Sequence, residues 1–159
     1  MNKKYQSCLI TNIWQNKNIK YKYFIEKELN AGLSLQGWEV KALRANKFNI
    51  NNSYIILKNG EAYLFGAIFQ PLILSFSYIK NDKMRIRKLL LNKHELKFLF
   101  NKVKHNNYTI IPLSIYWNKS WLKIKIGIAK GKKEHDKRLD IKKREWKLDK
   151  NRLIKFNTK

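Results

Sequence analysis

The chain has 159 residues, 44% hydrophobic and 13% aromatic, which is enough apolar material for one domain with a core and excludes a disordered chain. Against 35 basic residues stand only 11 acidic ones, and the formal net charge of +24 exceeds what solubility requires, so the natural partner of a compact body is a polyanion such as RNA or DNA. Cys8 is the only cysteine, which excludes an internal disulfide and a cysteine-based zinc cluster and fits a reducing cytosol. The N-terminal segment lacks the apolar core of a secretion signal, and the most apolar run, Pro71 to Ile79, is too short to span a bilayer. The expected protein is cytoplasmic, with no membrane partner, and monomeric when free.

In chain order, Met1 to Lys20 has neither helical nor strand period and is rich in Asn and Lys, so a mobile leader is expected, assigned to residues 1–15. Tyr23, Phe24, Ile25 and Leu29 predict a strand that ends at an Ala31-Gly32 turn and resumes at Leu33 and Leu35. From Gln36 to Ala45 the period changes: Trp38, Ala42 and Ala45 recur at helical spacing, with Lys41 and Arg44 on a basic side and Trp38 as a core anchor. Ser53–Leu57 and Ala62–Ala67 flank Asn59-Gly60, the strongest short-range signal for a hairpin. Asn92 with Glu95 forms a capping box, predicting a helix that buries Leu96, Leu99, Phe100 and Val103 and ends at Asn106-Asn107. Two strands follow, Tyr108–Trp117 and Trp121–Ala129. In the second, Leu122, Ile124, Ile126 and Ile128 alternate with Lys123, Lys125 and Gly127, so Lys123 and Lys125 project together from an outward face.

The stretch Lys130-Gly131-Lys132-Lys133-Glu134-His135-Asp136-Lys137-Arg138 joins this body to a polar tail, residues 131–159. Acids interrupt its bases, which a purely electrostatic arm would not need. In the tail Leu139, Trp146 and Leu153 recur at seven, and Asp140 with Arg144 adds i,i+4 support; alone in water such a segment is marginal, so it is expected to be disordered when free and helical when bound. The order of elements predicts a mainly β protein, a closed six-stranded OB-type barrel over residues 16–130 with short flanking helices, a fold that often binds oligonucleotides.

Catalytic signals are thin. His94, His105 and His135 are scattered without metal-site spacing, lysines surround Glu134-His135-Asp136, and there is no phosphate-binding glycine loop, so neither catalytic residues, metal nor cofactor are expected. Composition leaves open an RNA-binding adaptor and a ribosomal structural protein, with a nuclease as the weakest reading.

Ordered motifs narrow the choice. Gly37-Trp38-Glu39-Val40-Lys41, Leu43-Arg44-Ala45, Ser53-Tyr54, Gly60-Glu61-Ala62, Arg87-Lys88-Leu89-Leu90-Leu91, Gly131-Lys132-Lys133 and Asp136-Lys137-Arg138 together resemble the small protein B (SsrA-binding protein, SmpB) family over nearly the whole chain. The resemblance implies a non-enzymatic adaptor of trans-translation that binds the tRNA-like domain of transfer-messenger RNA and brings it to stalled ribosomes. It implies body contacts to RNA at Asn16, Lys17, Leu90 and Lys123, with Lys41 and Arg44 in the matched helix motif; Lys88 and Lys125 join these as neighbouring bases. It also places the tail, with Gly131, His135, Asp136, Lys137 and Arg138, in the decoding centre and the empty mRNA channel, against the 16S rRNA of the small subunit. Lys130, Lys132, Lys133 and Trp146 are counted with that set. At Asn30, taken as a further RNA contact, the family commonly has Glu; the amide oxygen still accepts a hydrogen bond, without the charge.

Overall fold

A computed structural model of the protein describes residues 10–72, 82–106 and 108–157. The expectations for Cys8 and the first nine residues, and for most of the apolar run after Pro71, lie outside the described residues.

The order is β1 (Ile10–Gln15), α1 (Ile19–Lys22), β2 (Tyr23–Leu33), α2 (Gly37–Arg44), β3 (Phe48–Asn49), β4 (Tyr54–Lys58), β5 (Glu61–Phe65), β6 (Ile68–Phe69), β7 (Arg87–Leu90), α3 (Lys93–Asn106), β8 (Thr109–Asn118), β9 (Trp121–Gly131) and α4 (Glu134–Asn157). All pairings are antiparallel, and six strands close a ring in the order β8-β4-β5-β7-β2-β9, with β9 returning to β8. The small β3–β6 pair stands apart from it. The protein is thus mainly β with flanking helices, and no helix among the described residues is long and apolar enough to cross a membrane.

Period-two burial builds the ring. Ile124, Ile126 and Ile128 of β9, Ile55 of β4, Leu64 of β5 and Leu89 of β7 all turn into one core, which α2 joins through Trp38, Ala42 and Leu43 and α3 through Leu99. The Asn59-Gly60 hairpin forms as its sequence predicts, with φ of 51° and 77° at the two turn residues. The Asn92 N–H donates to Glu95 Oε2 at 2.9 Å, one half of the expected capping box.

Two expectations are corrected. Part of the leader is structured: β1 pairs with the second half of β8, from Ile10 opposite Asn118 to Gln15 opposite Ser114. A leader reading failed because, among the described side chains of β1, Ile13 and Trp14 alone pack on the core, too few to show a period. No turn occurs at Ala31-Gly32. β2 runs through both residues, because Ala31 is small enough to be buried opposite Ile124 while Gly32 lies between Leu90 and Lys123. The tail forms a helix from Glu134 onward.

One interaction in the core is ionic. Glu39 on α2 is fully buried and accepts from Arg87 Nε of β7 at 2.8 Å and from Arg85 at 2.7 Å, while Arg87, also fully buried, donates to the carbonyls of Ala67 and Lys83 and lies 4.2 Å from the Phe69 ring centre. Burial by itself would raise the Glu39 pKa, but hydrogen bonds from Arg85 and the Gln36 N–H and the charge of Arg87 outweigh it, and the carboxyl lies below its ordinary value of 4.5. A depressed carboxylate contributes stability that is present above the unfolded pKa and is lost as pH falls through the folded one. Arg87→Met should therefore be destabilising in urea unfolding by up to about 3–5 kcal/mol, because it leaves the buried Glu39 carboxylate with Arg85 as its one guanidinium partner. Glu39→Met combined with Arg87→Met should cost less than the two single changes added together. Glu39→Gln should remove part of the stability lost on acidification below about pH 4.5.

Candidate nucleic-acid interface

The pleat that buries the β9 isoleucines sends Lys123 and Lys125 to the opposite side, and their cross-strand neighbours share that side. Lys123 lies opposite Gly32 of β2 and Tyr116 of β8; Gly32 in turn faces Leu90 of β7, and Tyr116 faces Asn12 of β1. In the next row Lys125 lies between Asn30 and Ser114, with Gln15 beyond. The outer surface of five strands thereby brings together Leu90, Asn30, Lys123 and Lys125. Leu90 is 55% exposed although its neighbour Leu89 is buried, which follows from the alternation of β7.

This polar face ends at a small apolar cluster. A bulge after Pro112 turns Leu113 outward to pack with Ile19 of α1, Ile111 and Ala129. Glycine at 127 makes room for it, since a Cβ there would sit 3.0 Å from both Leu113 methyl carbons and the leucine side chain would have to shift. At this border a cleft of about 420 Å³ is lined by Asn16, Asn30, Lys125, Gln15, Tyr116 and Ile19 among others. The Asn16 N–H donates to the Leu113 carbonyl at 2.8 Å. Asn16 also borders a second hollow of about 690 Å³, which includes Lys17, Lys22, Asn52 and Tyr54. Asn16, Lys17, Asn30 and Lys125, spread over 109 positions of sequence numbering, thus become neighbours along two adjoining hollows.

The charges on this surface are not equivalent. Lys123 has no carboxylate partner among the described residues. Lys125 Nζ lies 3.2 Å from Glu28, so removing Lys125 would also uncover a negative charge. Lys88 is engaged with Glu61, whose carboxyl is held below the usual carboxylate range by hydrogen bonds from Lys88 and then Tyr63. Lys41 and Arg44 are exposed on α2 and do not join the Lys123 row. Arg44 lies 5.8 Å from the ring centre of Trp117, a residue that packs on the core side of β8.

The tail residues also divide. Lys130 is exposed, and Gly131 still belongs to β9, paired with Tyr23. Lys132 is engaged within the protein: its N–H donates to the Lys22 carbonyl at 3.0 Å, and its ammonium reaches the Lys20 carbonyl at 2.8 Å and Asp140 at 2.7 Å. The bond from Lys132 holds the Asp140 carboxyl below its ordinary value. Lys133, His135, Asp136 and Arg138 are exposed around the start of α4, Lys137 is half-buried, and Trp146 is 67% exposed with Lys150 Nζ 5.3 Å from its ring centre. Sequence reasoning missed Asn12, Gln15, Glu28, Ser114 and Tyr116. Only the alternation of Glu28 with Asn30 in β2 could have signalled any of them, since the others depend on strand partners. Among the described residues no group of three or more His, Cys, Asp or Glu could hold a metal ion.

Residues 13–156 match the family described as SmpB protein. The chain belongs to this family. Among solved structures, a chain from one described as "tmRNA-SmpB: a journey to the center of the bacterial ribosome" is 39% identical, over 76% of this chain and 85% of that one, with a TM-score of 0.61.

If the outer face binds RNA phosphates, Lys123→Ala should lower the slope of log affinity against log salt by roughly 0.7–0.9. Lys125→Ala should weaken binding more than Lys123→Ala at low salt, because it leaves Glu28 unneutralised, and Glu28→Gln should strengthen it; filter binding across a salt series reads all three. Leu90→Ala should weaken RNA binding at an unchanged melting temperature, since the side chain is mostly exposed.

Proposed function

We propose that this protein is an RNA-binding adaptor, not an enzyme, that holds the tRNA-like domain of transfer-messenger RNA on the outer face of β2, β9 and β8 and delivers it to stalled ribosomes. The observation that carries the reading is the gathering of Asn16, Asn30, Leu90, Lys123 and Lys125 along one surface and its clefts, in a chain of the SmpB family. Such a surface suits a folded RNA: lysines neutralise phosphates, amides and hydroxyls meet riboses and base edges, and an exposed leucine packs against unstacked nucleotides. The antiparallel ring with an inserted helix supports an OB-type reading of the body.

In the same proposal, α4 is the part that works on the ribosome, with Lys133, His135, Asp136, Lys137 and Arg138 at the decoding centre of the small subunit and the rest along the empty mRNA channel. Leu139, Trp146 and Leu153 lie on one side of the helix and are 44%, 67% and 66% exposed, an apolar stripe awaiting a surface. The helix is tied to the body near its start, through Lys132 and Asp140, and its later turns are exposed. An exposed helix of this kind is marginal in water, so its distal part melts in the free protein and orders on rRNA.

Truncation after Lys133 keeps the Lys132 bonds to α1 and should leave affinity for the tRNA-like domain within about twofold, while abolishing peptide tagging in a reconstituted stalled-ribosome assay. A scrambled tail of equal charge should fail as well, because phosphate attraction alone carries no positional information. Full tagging with the scrambled tail would refute the specific role given to this segment.

A further inference from the structure

The hairpin of β4 and β5 exposes a second surface that the adaptor reading does not use. Alternation buries Ile55 and Leu64 and turns Tyr54, Ile56 and Phe65 outward, at 42%, 36% and 38% exposure. Tyr54 and Phe65 are direct cross-strand partners, with ring centres 5.3 Å apart and planes tilted by 50°. Their neighbours in the next row, Ile56 and Tyr63, are followed by Lys88 of β7, and Lys58 ends the strand. Tyr63 is held in place by a 2.7 Å hydrogen bond to Glu61.

From this geometry we infer that the outer face of the β4–β5 hairpin is a stacking platform for unpaired RNA bases, with Tyr54 and Phe65 as the two aromatic contacts. The inference rests on the protein being an RNA binder and adds a second contact mode. Three observations favour nucleotides over an apolar peptide as the occupant. The rings are tilted rather than closed into a pocket, so aromatic faces remain open to a flat base, and base–aromatic stacking tolerates any sequence. The face is bordered by Lys58 and by Lys88, the latter paired with Glu61, in a chain of net charge +24, which suits a phosphate backbone running past it. Tyr54 also borders the 690 Å³ hollow that contains Asn16 and Lys17, so RNA held in that hollow lies next to the platform.

The test uses the full chain, two probes and a sequence-independent one first: a twelve-nucleotide oligouridine, and the tRNA-like domain of transfer-messenger RNA. Substitution of Tyr54→Leu with Phe65→Leu keeps apolar bulk on the hairpin and removes both π faces. It should weaken oligouridine binding about tenfold or more at fixed salt, leave the salt slope unchanged, and leave Tyr54→Phe at the parent affinity. In the parent protein, oligonucleotides carrying 5-iodouridine should photocrosslink to Tyr54 or Phe65, which removes any dependence on how well the double variant folds. Unchanged oligouridine affinity in a folded double variant, or crosslinks that avoid both rings, overturns the platform even when the tRNA-like domain binds normally. Failure of the parent protein to bind either RNA instead overturns the adaptor reading. Self-association that the double variant abolishes, with RNA affinity intact, assigns the face to a second copy of the chain and also overturns the proposal.

Discussion

The strict alternation of β9 is the constraint on which both halves of this protein depend. Each isoleucine at 124, 126 and 128 enters the core and allows the strand to close the ring between β2 and β8, and Lys123 and Lys125, which alternate with them, are thereby presented outward. A shift of one residue would bury Lys123 and Lys125 unpaired and expose three isoleucines, so folding and the layout of the outer surface are enforced together. The pattern is interrupted where the function of the face changes. Gly127 gives up a side chain to admit Leu113, and α1 then covers that end with Ile19.

The buried Glu39 cluster does a different job. It joins α2 to β7 across 48 residues of chain, and Arg87 extends the link to the Ala67 and Lys83 carbonyls. Ionic pairs of this sort stabilise little compared with apolar packing of the same volume, yet they penalise strongly any arrangement that separates the partners. Here the separated arrangement would be α2 turned on its axis, which would also bury Lys41 or Arg44. The pair therefore determines which side of α2 meets solvent, whatever that side binds.

Body and tail follow opposite energetic regimes. The body buries most of its aliphatic residues in a large core and a smaller cluster around Leu113, whereas α4 leaves Leu139, Trp146, Leu153 and most of its length exposed. The link between them is polar and localised at Lys132, which meets two carbonyls of α1 and the Asp140 carboxylate. That arrangement orients the start of the helix without committing its apolar stripe, a division suited to a segment whose partner surface is supplied by another molecule.

From the sequence alone, the elements with strong local signals were legible: the α2 period, the Asn59-Gly60 hairpin, the Asn92 start of α3 and the alternation of β9 each follow from interactions within a few residues. The ordered motifs likewise carried the resemblance to the SmpB family, and with it the candidates at Asn16, Leu90, Lys123 and the tail. Tertiary structure alone decided which of those candidates are neighbours and which cations are already engaged. β1 looked like a leader because its order comes from β8, about a hundred residues away; Lys125, Lys88 and Lys132 look alike in sequence until Glu28, Glu61 and Asp140 are found beside them. Nothing near Glu39 in sequence shows that folding encloses it with Arg87. Local periodicity reports which way a side chain points, but the Lys125–Glu28, Lys88–Glu61 and Glu39–Arg87 pairs and the partnership of β1 with β8 join segments brought together from far apart, and no short window of sequence contains both partners.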